Sequence, residues 1–146
     1  MKKYKQGYYK PKNKEKWVVT NTFDGMGLKY RSSWELKFFK YIDNNKNIIK
    51  CNSEGLKIPY YNPVKKRISN YYVDFTIQTS KGDIFLIEIK PYKETKKPRK
   101  SKNLKSYKKR LETYLINQAK WEYAKKFAEA KGYKFVILTE KELFNN

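Results

Sequence analysis

Ile84-Phe85-Leu86-Ile87-Glu88-Ile89-Lys90-Pro91 is an apolar run that carries an acid and a base two residues apart. Its apolar content predicts a buried strand, ended by a proline that cannot donate to a ladder. Side chains on a strand alternate, so Glu88 and Lys90 share one face and Ile87 and Ile89 the other. Charges in so apolar a setting are costly unless partners satisfy them. A second acid, Asp74, stands in similar company in Tyr71-Tyr72-Val73-Asp74-Phe75-Thr76-Ile77. An acid on one strand and Glu-x-Lys on the next can bring two carboxylates to one divalent ion and a lysine to the reacting phosphate. That is the layout of a metal-dependent phosphodiesterase. The plainer alternative is a structural Asp74–Lys90 or Glu88–Lys90 ion pair. Two acids and a lysine among apolar strands ask for more than one bridge provides.

Upstream, Tyr30-Arg31-Ser32-Ser33-Trp34-Glu35 leads into a helical pattern. Ser32-x-x-Glu35 predicts a capping box at its start, and Trp34, Phe38, Tyr41 and Ile42 are the expected buried face. Glu35 borders that face, so it either only caps the helix or points inward as a further acid of the site. Residues 1–22 are rich in Lys and Tyr without a period. They predict a basic, partly flexible arm, with Trp17-Val18-Val19 as a docking strand; residues 23–146 form the folded domain. Gly25 and Gly27 mark a turn.

Ile48–Cys51 and Leu56–Tyr61 are expected strands. A hairpin loop follows at Asn62-Pro63 and Lys65–Arg67, then a strand over Tyr71–Thr79, a turn at Lys81-Gly82-Asp83 and the Ile84–Lys90 strand. Short turns make this part an antiparallel meander. Residues 92–102 form a basic loop with Lys93, Lys96, Lys97, Arg99, Lys100 and Lys102. It follows the Glu-x-Lys strand directly and can reach a phosphate backbone, or it is simply a solvated charge run. Asn103–Lys131 is helical through Leu104, Tyr107, Leu111, Leu115, Trp121, Ala124, Phe127 and Ala128, long enough for two helices with a break near Tyr114–Asn117. Gly132 stops it. Tyr133–Leu138 is a strand, and Thr139-x-x-Glu142 opens a short last helix. A helix between Ile84–Lys90 and Tyr133–Leu138 makes those strands parallel neighbours. The expected fold is α/β, with a mixed sheet in α-β-β-β-α-β order and helices on both faces.

Composition narrows the chemistry. The chain has 146 residues, 35 Lys and Arg against 14 Asp and Glu, and a net charge of +21. Part of that excess accompanies abundant Asn, Ile and Tyr, as in an AT-rich coding sequence. The remainder points to a polyanionic partner, foremost nucleic acid. No run approaches bilayer length and no signal sequence is evident, so a soluble, intracellular protein with no membrane partner is expected. One cysteine, Cys51, excludes an internal disulfide and a multi-cysteine zinc site. The absence of histidine removes Ser-His and Cys-His triads and imidazole acid–base chemistry. A metal would be held by oxygen, as Mg²⁺ or Mn²⁺ is. Its ligands would be Asp74, Glu88 and the Ile89 carbonyl, with Glu35 on a second ion or acting through water.

Tyr72-Val73-Asp74, Glu88-Ile89-Lys90 and the helix acid Glu35 together resemble the PD-(D/E)XK nuclease superfamily, whose core is restriction-endonuclease-like. The ordered blocks Arg31-Ser-Ser-Trp-Glu35, Ile58-Pro-Tyr60, Tyr72-Val-Asp-Phe75, Leu86-Ile-Glu-Ile-Lys-Pro91, Asn117-Gln-Ala-Lys-Trp121 and Phe135-Val-Ile-Leu-Thr-Glu140 resemble its TnsA-like branch and the head-completion nucleases of T-even-type phages. The likeness spans roughly residues 17–143. It implies a Mg²⁺-dependent DNA endonuclease, with Mn²⁺ able to substitute and no other cofactor. Asp74 and Glu88 would bind metal, Lys90 would be the catalytic lysine and Glu35 the helix acid. Gln118 would be an accessory helix residue, but it and Tyr123 lack the spacing of the exonuclease branch, and an exposed helix glutamine is the simpler reading. Val73 stands where the motif has proline. Arg31 and the basic loop would contact double-stranded DNA. The resemblance also implies work on packaged DNA ends in the host cytoplasm, beside portal or other head-completion proteins, with retention in the virion left open. The alternatives are a non-catalytic DNA-end-binding plug on a nuclease fold and a transposase-type endonuclease subunit.

Overall fold

The computed structural model describes residues 6–18 and 27–144. Its centre is a four-stranded mixed sheet ordered β3 (Ile48–Ser53), β6 (Phe75–Thr79), β7 (Ile84–Ile89), β8 (Lys134–Leu138). The first three run antiparallel, and β8 lies parallel to β7 after the crossover helix α2 (Leu104–Lys131). Alternation along β7 splits the core in two. Ile87 packs with Phe38, Phe39 and Ile42 of α1 (Ser33–Asn44). Leu86 packs on the opposite face with Trp121, Ala124 and Ala128 of α2. Helices therefore cover both faces of a mixed sheet, the restriction-endonuclease-like arrangement that the sequence predicts. Among the described residues no helix is long and apolar enough to cross a membrane.

The predicted meander is interrupted. β4 (Lys57–Asn62) and β5 (Arg67–Tyr72) pair only with each other, as a hairpin inserted between β3 and β6. The single strand expected over Tyr71–Thr79 is two strands, broken at Val73–Asp74. At the break the backbone leaves its own partner. Val73 N–H donates to the Leu56 carbonyl, while the Asp74 carbonyl accepts from Glu54 N–H. The chain thus changes sheets at Asp74, and the acid sits at the mouth of β6 rather than within it.

Two helical expectations are also corrected. α2 is continuous over 28 residues. Its sequence contains no Gly or Pro and is rich in Lys, Leu, Ala and Glu, all strong helix formers, so nothing breaks it at 114–117. Only its C-terminal half meets the core; Leu104 and Leu115 are exposed. On α1 the buried face includes Phe39, whereas Tyr41 is 56% exposed. Glu35, Phe38, Phe39 and Ile42 are spaced i, i+3, i+4, i+7, so Glu35 stands in line with the buried stripe.

The described residues of the arm pack on the domain; residues 1–5 and 19–22 of that segment, and the turn expected at Gly25, lie outside the described residues. β1 (Gly7–Tyr9) pairs with β2 (Leu28–Tyr30). Gly27 needs its backbone at φ +118°, and a side chain there would strike the Tyr9 carbonyl. Trp17 is buried and forms a parallel bridge with Cys51 of β3. The buried Lys16 ammonium donates to the carbonyls of Ile42 and Asn45, each at 2.9 Å, closing the C-terminus of α1. Asp43 ties the same end to the arm. Its carboxylate accepts from Tyr9 Oη and Lys12 N–H at 2.7 Å and from Asn13 N–H at 3.0 Å.

Burial raises the Asp43 pKa, but these donors more than offset it and hold the carboxyl below its usual range. Asp43→Ala should therefore lose about 3 kcal/mol of stability, because three donors are left without their acceptor. The group's folded pKa is depressed, so its contribution is complete above about pH 4 and fades as pH falls through the folded value. Urea titrations of both proteins at neutral and acid pH check this: the gap should narrow in acid.

Candidate active site

Extending the β6–β7 register by one residue from Phe75↔Ile87 sets Asp74 across from Glu88. Directly opposed residues in an antiparallel pair share a face, so the two carboxylates meet at the end of the sheet. The break at Val73–Asp74 gives Asp74 a further partner. Its Oδ2 accepts the Ile89 N–H at 2.8 Å, beyond the last residue of β7 that pairs with β6. Glu88 is buried on the α2 side, and its Oε1 accepts from the buried Tyr71 hydroxyl at 2.5 Å. Its Oε2 lies 3.5 Å from the Lys90 ammonium. Lys90 follows β7, its own N–H donating to the Leu138 carbonyl.

Glu35 enters from α1. The predicted capping box is half formed: Ser32 Oγ accepts from Glu35 N–H, but the Glu35 carboxylate takes the Arg31 N–H at 2.7 Å. Its side chain turns toward the sheet edge and lines one cleft of about 230 Å³ with Asp74, Glu88, Ile89 and Lys90. Arg31 borders that cleft and pairs with Glu54. Burial and the Glu88 charge hold the Asp74 carboxyl well above the usual carboxylate range, against the pull of the Ile89 N–H and the Lys90 ammonium. Burial also raises Glu35, against the Arg31 N–H. Like charges are thus pressed together at a site whose donors are all oxygen, and a hard divalent cation would relieve them. Among the described residues no three Asp, Glu, Cys or His side chains form a ready-made ligand cluster. The donor set suits an ion that keeps most of its waters, as Mg²⁺ does.

The other expected residues fall in different places. Lys93, Lys96, Lys97 and Arg99 line a separate groove beside the cleft, whereas Lys100 and Lys102 are exposed and line neither. Gln118 is half-buried and does not line the cleft. It lies about 200° around α2 from Lys120 at about 100° per residue. Lys120 of α2 does come near the site's support, with Nζ 5.7 Å from the centroid of the Tyr71 ring. Burial lowers its pKa; the charge of Glu88 opposes that shift and the charge of Lys90 adds to it. Sequence reasoning missed Tyr71 and Lys120. Lys120 left a usable signal: Asn117, Lys120, Trp121 and Ala124 form an i, i+3, i+4, i+7 stripe carrying a lysine. Tyr71 left none, because its reach to Glu88 depends on the strand break.

Two comparisons bear on this geometry. The family model for the N-terminal part of TnsA-like endonucleases matches residues 45–140, a span that holds Asp74, Glu88, Lys90 and Lys120 and begins after Glu35. The head completion nuclease of Enterobacteria phage T4 is 39% identical over 134 residues, covering 86% of this chain and 89% of that protein.

Proposed function

The chain belongs to the TnsA-like endonuclease family, and we propose that it is a Mg²⁺-dependent DNA endonuclease of PD-(D/E)XK type that processes packaged DNA ends in phage head completion. The observation that carries the reading is the convergence of Asp74, Glu88 and Lys90 in one cleft, with the two acids opposed across adjacent strands. The similarity to a head completion nuclease supports the setting of head completion; we place that work in the host cytoplasm during particle assembly, with portal or other head-completion proteins as neighbours.

Asp74 and Glu88 would hold the ion, with the Ile89 carbonyl as a further oxygen and Glu35 acting through water or on a second ion. A Mg²⁺ ion held by these oxygens would supply Lewis-acid chemistry, polarising the scissile phosphate and a neighbouring water. The chain's own groups do the positioning. Tyr71 Oη fixes one Glu88 oxygen, leaving the other toward Lys90. The Ile89 N–H fixes one Asp74 oxygen in the same way. Lys90 directs its ammonium to the attacking water or to the phosphoryl oxygen that gains charge. Glu35, anchored by the Arg31 N–H, offers a carboxylate to a water proton across the cleft.

Cleavage of supercoiled and linear duplex DNA tests this. Cutting is expected with Mg²⁺ or Mn²⁺ and none with EDTA. DNA bound tightly but left intact under every metal would overturn the enzyme and favour an end-binding plug.

A further inference from the structure

Beside the cleft, the segment after β7 and the N-terminal half of α2 enclose a second groove of about 810 Å³. Six cations line it, Lys93, Lys96, Lys97, Arg99, Lys109 and Arg110, against one acid, Glu94. Among the described residues none of the six forms an ion pair. Glu94 also lines the reactive cleft, so the two openings adjoin, and only Pro91 and Tyr92 separate Lys90 from the first groove lysine. Tyr92 and Tyr114 add aromatic surface among the cations. Asn117, a buried amide, also lines it.

Resting on the nuclease reading above, we propose that this groove seats a single-stranded flank of the DNA, so that the preferred substrate is a duplex carrying an unpaired tail. Three features favour one strand over a duplex. The volume is that of a small-ligand site of about 300–1,000 Å³, matched to a few nucleotide units rather than to the bulk of a double helix. Aromatic rings interleaved with cations are how sequence-tolerant sites take unstacked bases together with their phosphates. Lys96 and Lys141 already lie over the Tyr92 ring, 5.2 and 3.5 Å from its centroid, so stacking falls to Tyr114; a paired duplex has no base face to offer it, and the groove gains that stacking only from a tail. α2 explains why the groove exists: its first half runs off the core with Lys109, Arg110 and Tyr114 facing the basic loop.

Binding measured in EDTA tests the groove apart from the chemistry. The full-length chain is titrated into a short blunt fluorescent duplex and into the same duplex with a thymidine tail on either strand. The tailed duplex should bind about tenfold more tightly. Tyr114→Ala, and separately the pair Lys109→Gln with Arg110→Gln, should bring that preference to about twofold or less. The pair Lys125→Gln with Lys126→Gln, of equal charge and exposed on the far half of α2, should keep it. Equal affinity for blunt and tailed duplexes, or groove variants that weaken both alike, would overturn the proposal. Because the assay contains no metal, failure to cut DNA leaves the binding result standing, and cutting without any tail preference would sink the groove alone.

Discussion

Replacing Lys90 by Met should lower metal-dependent DNA cleavage by about a thousandfold or more, far beyond what the loss of stability from unpairing the buried Glu88 explains. The magnitude follows from removing one charge aimed at the developing transition state in a half-buried cleft. Methionine keeps most of the stem's packing and removes only the ammonium. Glu88→Gln should cost as much for a different reason. The amide oxygen can still accept from Tyr71 Oη, so the buried hydroxyl keeps its partner, but the charge that would hold the ion is gone. Alanine would be a poorer choice, since it strands the Tyr71 hydroxyl and mixes a folding defect with a chemical one. Single-turnover cleavage, with Tm as the control, checks both. Should Lys90→Met cut within tenfold of wild type, Lys90 would be a structural partner of Glu88, and the catalytic charge would have to come from elsewhere, from Arg31 at the border of the cleft or from Lys120 beside Tyr71.

Most of the site's architecture is legible in the sequence because strand alternation is a rigid rule. Glu88 and Lys90 had to share a face once Ile84–Ile89 was a strand, and the crossover through α2 had to make β7 and β8 parallel. Glu35 could be placed on α1, although its line with Phe38, Phe39 and Ile42 shows only when Tyr41 is removed from the buried face. What stayed hidden depends on breaks in regularity. Tyr71–Thr79 is uniformly strand-like in composition, and the kink at Val73–Asp74 arises because the β4–β5 hairpin and the central sheet claim the two sides of that segment. The kink lets Tyr71 reach Glu88 and lets Asp74 take the Ile89 N–H, so neither contact has a local sequence signature. The capping partner of Glu35 shifted by one residue for a similar reason: at the end of β2 the Arg31 N–H is available to it, and the carboxylate can satisfy it while staying in the cleft.

Asp74→Asn should separate stability from function in one substitution. Without metal the wild-type cleft holds a half-buried Asp74 against the buried Glu88, and the raised Asp74 pKa, from burial and the Glu88 charge, is the sign of that conflict. Asparagine retains an oxygen to accept the Ile89 N–H while removing one of the opposed charges. In EDTA the variant should therefore melt about 3 °C above wild type, equivalent to roughly 1 kcal/mol in a domain of this size. Added Mn²⁺ should reverse the order. Wild type gains stability by binding the ion in its folded state alone, whereas the variant, short of one carboxylate, gains little. Cleavage should fall about a hundredfold or more, since the same charge that destabilises the empty cleft is needed to hold the cation. Thermal melts with EDTA and with Mn²⁺, run beside the cleavage assay, give three readings on one pair of proteins. A variant less stable than wild type in EDTA would mean that Lys90 and the Ile89 N–H already compensate Asp74 fully. The cleft would then be a settled ion-pair network with no electrostatic demand for a metal.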